Sequence, residues 1–284
     1  MKISKKDLNR IKKSKLNTTT ALTTAIVMGV VSFIERTIFN RFFLVDYLGL
    51  YSFFHSTINV LSTAELGIST AIAYALYAPI ENDNEDQIWA IMNLLKKAYF
   101  VIGTIILAGG LILLTFIDKL LITTIPLEQV KIYFIIYLLA SVFNYWLTYE
   151  NILIIANQEN YKVTFITNTA WTIQYIAQIL VALFTQSFFL YALAMLGANL
   201  LRAFIIRHIA KKQYGFIRKK RKIKLQKNIR NKIIQNTKGL MLTRISTILV
   251  NSTDSILISA MVGASFLGKY SNYLHDSCRY HLVV

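Results

Sequence analysis

The sequence holds one cysteine, Cys278, and two prolines among 284 residues. A single cysteine excludes a disulfide framework, and no Cys/His spacing resembles a metal site. Charge is scarce as well, at 16% of residues, where soluble domains carry about 25%. Acid is scarcest: 14 Asp+Glu stand against 31 Lys+Arg, a net charge of +17. No GxxxxGK[ST] loop is present to cradle a nucleotide, nor a G-x-S-x-G elbow, nor H-E-x-x-H. No carboxylate-rich segment could house glycosyl or phosphoryl transfer outside a membrane. The chain therefore reads as a non-enzyme, with no catalytic set, no metal and no cofactor. No Gly/Ser linker or low-complexity run marks off a soluble domain.

What is abundant is apolar: 55% of the residues are hydrophobic. The basic residues are not spread over this background. Seven lie in the first fifteen positions and thirteen between Arg202 and Lys232, a stretch without a single acid. Such clustering marks the cytoplasmic segments of a membrane protein rather than a nucleic-acid-binding face, so no nucleic acid partner is expected. No small-residue cleavage site follows the first apolar run, which is therefore expected to persist as a transmembrane helix.

A span needs about 20 mostly apolar residues. Six such segments are predicted at 20–45, 47–78, 98–117, 132–155, 163–184 and 187–206, with a seventh at 240–268. Glu65 divides the second into uncharged runs of 18 and 15 residues. One long helix bent near Gly67 is preferred there, because six spans before Arg207 put both basic clusters on one side. The positive-inside rule makes that side the cytoplasm of a cell (plasma) membrane protein with a cytoplasmic N-terminus. The expected fold is all-α: a polytopic membrane helix bundle with a six-helix N-lobe and about one helix of a second lobe. Its divisions are a basic tail (1–19), the six-helix lobe (20–206), a basic linker (207–239), the first helix of a second lobe (240–273) and an atypical tail (274–284). Within the linker, Leu225, Ile229 and Ile233 recur every four residues, which fits a helix lying on the inner membrane surface.

Polar side chains inside a bilayer turn toward other helices or toward water. The fourth predicted span carries Ser141, Asn144, Thr148 and Asn151 in steps of three and four, one helical face. The fifth carries Thr164, Thr167, Trp171, Gln174 and Gln178 in the same rhythm; the second has Ser52, His55, Asn59 and Ser62; the seventh has Arg244, Thr247, Asn251 and Asp254. Four stripes point to a shared hydrated interior, with interhelical hydrogen bonding as the plainer alternative. The third span has only Thr104 and Thr115 and reads as an outer helix. Glu35 and Arg36 cost the first span roughly 5 to 7 kcal/mol, about what its apolar residues return. Because neighbouring residues point about 100° apart on a helix, at least one of the pair needs a partner on another helix. Snorkelling to the interface with Arg41 is the competing reading. Glu65 and Glu150 are expected to be solvated carboxylates near span ends, and the 207–232 run is expected to be chiefly a topology signal.

Residues 64–103, AELGISTAIAYALYAPIENDNEDQIWAIMNLLKKAYFVIG, resemble the second span and following loop of polysaccharide flippases encoded with capsule and cell-wall genes. These are Wzx-type members of the MOP/MATE-like exporter superfamily. The stretch NSTDSILISAMVGASFLGKYSNY, Asn251 to Tyr273, is similar to the family's seventh span, and the charged first span fits too. The resemblance implies two pseudo-symmetric lobes and alternating access for an undecaprenyl-pyrophosphate-linked oligosaccharide in capsule biosynthesis. The bilayer and the lipid-linked oligosaccharide are then partners, with polysaccharide polymerase and glycosyltransferases acting beside it. It also implies that Arg36 or Arg41 attracts the pyrophosphate, with Arg244 as a second cation. Glu35, Asn144, Asn151, Gln174, Gln178, Asn251 and Asp254 complete the candidate cavity residues. Two departures from the family stand out: only one span of the second lobe follows, and LHDSCRYHLVV leaves the pattern. Both suggest a truncated, inactive form. The rival readings are a multidrug or cation antiporter of the same superfamily, coupled through Glu35 or Asp254, a membrane enzyme, and a non-transporting membrane protein.

Overall fold

The computed structural model describes the backbone of residues 5–280 except 66, 219–222 and 224. Side chains are described within 11–272, leaving out those positions and 64, 218, 242–244 and 247–251. The described chain is all-helical. Its helices are α1 (Lys5–Phe42), α2 (Val45–Leu61), α3 (Ile68–Glu81), α4 (Glu85–Thr115), α5 (Ile117–Leu120) and α6 (Leu127–Thr148). There follow α7 (Asn151–Ala156), α8 (Asn160–Phe184), α9 (Phe188–Gln213), α10 (Lys227–Met261) and α11 (Ala264–Tyr280).

Four described helices are long and apolar enough to cross a membrane: Ile11–Phe42, Glu85–Thr115, Leu127–Thr148 and Phe188–Gln213. Seven spans were expected, and composition explains the difference. At 25 residues α8 is about 37 Å long, but its polar stripe lowers its apolarity. Its exposed face carries Phe165, Ile173, Ile176, Leu180 and Leu183, while Gln174 and Gln178 turn inward. The second expected span is broken rather than bent. α2 ends in a short 3-10 turn, Ser62–Glu65, and α3 starts after Gly67 at φ +79°. That left-handed backbone suits glycine, and a Cβ there would press on Leu240 of α10 at 2.8 Å. The seventh expected span breaks likewise: α10 stops at Met261, and Gly263 at φ +109° leads into α11. The basic tail is no separate element, since α1 begins at Lys5. Nor do Leu225, Ile229 and Ile233 share a separate surface helix: Leu225 precedes α10, which runs unbroken from Lys227. Ile233 is buried and Ile229 half-buried against the core, in a groove that Tyr74, Ala75 and Ala78 of α3 also line.

Local signals set the helix starts. Pro126 precedes α6, a position where a missing N–H costs nothing. Asn84 caps α4, its side-chain oxygen accepting from Gln87 N at 3.0 Å, and Glu85 and Asp86 follow in the first turn, favourable at a helix N-terminus. Packing places α1 along α8, α8 beside α9, α9 on α6 and α6 on α4. α2 lies against α10 and α11 as well as α4 and α6. Outward faces stay apolar: α1 exposes Leu22, Ile26, Val27, Val30 and Phe33, and α4 exposes Phe100, Val101, Ile105 and Ile112. Such faces suit lipid, as expected of α4.

Polar clusters tie both ends of the bundle. At the end carrying the N-terminal basic residues, Glu159 receives Lys162 at 2.6 Å, Lys13 at 3.1 Å and Gln213 Nε2 at 2.6 Å. This joins α1, α8 and α9. Burial alone would raise the Glu159 carboxyl, but those hydrogen bonds from Lys162, Gln213 and Lys13 outweigh it and hold it below the usual range. At the far end, Asp46 accepts from Thr124 N at 3.0 Å, from the Thr124 and Thr123 hydroxyls at 2.8 and 3.2 Å, and from Ser265 of α11.

Candidate functional site

Three of the four predicted stripes meet. His55, Asn59 and Ser62 from the α2 side, Ser141 and Asn144 of α6, and Trp171 of α8 line one cavity of about 330 Å³. Its fourth wall is α9, through Met195, Asn199 and Arg202. Among the described residues no Asp or Glu lines it. Its volume falls at the lower end of the roughly 300–1,000 Å³ of small-molecule sites.

Arg202 is the residue that sequence reasoning missed. It was grouped with the basic cluster that follows it, yet it lies eleven residues before the end of α9. Its Nη2 donates to Asn144 Oδ1 at 2.5 Å and to Asn199 Oδ1 at 3.4 Å. Its Nε is buried and has no hydrogen-bond partner among the described residues. The signal was available: Met195, Asn199 and Arg202 follow in steps of four and three, the helical rhythm of the stripes that were recognised. Arg207, also assigned to the topology signal, turns inward too, with Nε 3.6 Å from Glu150. Glu150, expected to be solvated, is 1% exposed.

The remaining candidates scatter. Arg36 leaves the cavity for α11, where its Nε donates to Asn272 Oδ1 at 2.9 Å and its Nη2 to Ser271 Oγ at 3.0 Å. Glu35, 8% exposed, accepts from the Tyr191 hydroxyl of α9. Both charges of the first span thus find partners on other helices instead of snorkelling. Arg41 is exposed at the end of α1. Gln174 Nε2 donates to Gln178 Oε1 at 3.4 Å, and Gln178 Nε2 to Tyr191 O at 3.2 Å; the pair stitches α8 to α9 rather than lining the cavity. Asn151 begins α7, its buried Oδ1 lacking a partner among the described residues. Asp254 is exposed and accepts from Tyr270 at 3.2 Å. The side chains of Arg244 and Asn251 lie outside the described residues. Glu65 also stays out of the cavity, accepting Tyr99 at 3.2 Å and Tyr145 at 3.3 Å.

Glycines mark a seam where α2 and α3 meet α10 and α11. Gly67 abuts Leu240; a Cβ on Gly268 would collide with the Val45 carbonyl, and one on Gly49 with that of Ala264. Glycine at such positions lets backbones approach closely. Ile122 N donates to Ser259 O at 3.2 Å and Ala264 N to Ile122 O at 2.8 Å, holding the Gly263 turn to the loop before α6. Comparison of the chain with protein-family models, with curated proteins and with solved structures finds no match.

Proposed function

We propose that the chain is a membrane transporter of the flippase type, moving a lipid-linked oligosaccharide across the cytoplasmic membrane for surface polysaccharide synthesis. The observation that carries this reading is the cavity between α2, α6, α8 and α9, to which each of the four helices contributes a polar or aromatic side chain, inside helices whose outer faces are apolar. A bundle held together only by interhelical hydrogen bonds has no need of a 330 Å³ cavity. The resemblance of residues 64–103 and 251–273 supplies the substrate class, and the undecaprenyl pyrophosphate carrier comes with it.

Deleting the gene tests this. Cells without the chain lose surface polysaccharide and accumulate its lipid-linked precursor, and re-expression restores both. Unchanged surface polysaccharide overturns the reading. Loss of drug tolerance instead, restored by re-expressing the chain but not its Glu35→Gln variant, would establish the antiporter reading, for which the buried Glu35 carboxyl is the supporting observation.

A further inference from the structure

We propose that the cavity between α2, α6, α8 and α9 is a binding subsite for an acidic sugar, with Arg202 anchoring its oxyanion. A cation within a membrane bundle costs several kcal/mol unless it is compensated. Arg36 has the neighbouring Glu35 carboxylate besides its acceptors on α11, and Arg207 has Glu150. Arg202 has two neutral amide oxygens and, among the described residues, no carboxylate in the same cavity. Those oxygens take both hydrogens of Nη2, which fixes the guanidinium plane at the cavity wall, while Nε is buried away from the open space. A guanidinium held in this way offers its charge and its remaining Nη1 group to an oxyanion, a charge-assisted contact with a carboxylate or phosphate.

The other walls indicate what the oxyanion is attached to. Trp171 offers an aromatic face, and His55, Asn59, Ser62 and Ser141 are neutral hydrogen-bonding groups that can donate and accept. Polyhydroxyl rings match that set, whereas a lipid tail would leave each polar group unpaired. The sugar could carry its charge as a carboxylate or as a phosphate, and the chemistry at Arg202 is the same for both. The sugar part of this assignment rests on the flippase reading, while the oxyanion part stands on the cavity alone.

The test is calorimetric titration of the purified chain in lipid nanodiscs with glucuronate, glucose 1-phosphate, glucose and inorganic phosphate. At least one charged sugar is expected to bind tenfold or more tightly than glucose, and which one does so identifies the oxyanion. Arg202→Gln is expected to erase that tenfold difference, and Arg202→Lys to retain part of it. Trp171→Ala should weaken the charged sugar and leave inorganic phosphate unaffected. Melting curves of each variant establish that it is folded. Equal binding of charged and neutral sugars, no binding of any, or an Arg202→Gln variant that still discriminates overturns the subsite. If gene deletion leaves surface polysaccharide intact while the discrimination persists, the flippase reading fails and the oxyanion site stands.

Discussion

Two arginines, Arg36 and Arg202, occupy apolar helices, and the protein handles them in opposite ways. Arg36 reaches across to α11 and is held by Asn272 and Ser271 on the seam that joins α10 and α11 to the rest of the bundle. Arg202 stays within the bundle, oriented by Asn144 and Asn199 toward a cavity without acid among the described residues. The difference teaches that a costly cation is not by itself a site. What its partners leave unsatisfied decides whether it fastens the fold or awaits a ligand.

The strongest way to break the seam is Gly49→Val. Its side chain would drive into the Ala264 carbonyl, and such overpacking costs about 3 kcal/mol, read as a loss of thermal stability in detergent. Next comes the contrast between the arginines. Arg36→Ala forfeits two hydrogen bonds from a charged group and is expected to cost about 2 kcal/mol. Arg202→Gln removes an uncompensated cation along with its bonds, so its cost should stay below about 1 kcal/mol. Denaturation of both variants checks this, and a reversed order would exchange the two roles. A smaller effect is expected from pH at the Glu159 cluster. Its carboxyl titrates below the ordinary 4.5, so the cluster's contribution is complete above that pH. It is lost as pH falls through the lower folded value, and Glu159→Gln should flatten this acid dependence of melting. Smallest of all is Arg41→Gln at an exposed position, expected to lie within about 0.5 kcal/mol of the unsubstituted protein.

Helix content and some helix limits, such as both ends of α8, were legible because apolar runs and polar stripes both carry a period. The α2, α6 and α8 walls of the cavity followed from that period alone. The breaks at Gly67 and Gly263 were not, because a glycine in an apolar run does not reveal a positive φ; the bend foreseen at Gly67 located the place and missed the rupture. α8 lost apolarity to the same polar residues that identified its inward face. Arg202 escaped notice since it was counted by charge with the run that extends to Lys232, although Met195 and Asn199 share its helical face. Arg36 was noticed for its cost, yet its partners on α11 lie more than 230 positions away, beyond the reach of any local pattern.

That separation also bears on the order of assembly. The Asp46 to Ser265 bond at the far end of the seam spans 219 residues, and a ribosome adding about 5–20 residues per second needs roughly 10–45 s to cover them. Throughout that interval the glycine groove of α2 is complete but has no α11 to fill it. A chaperone, a lipid or a neighbouring chain has that time in which to occupy the groove first.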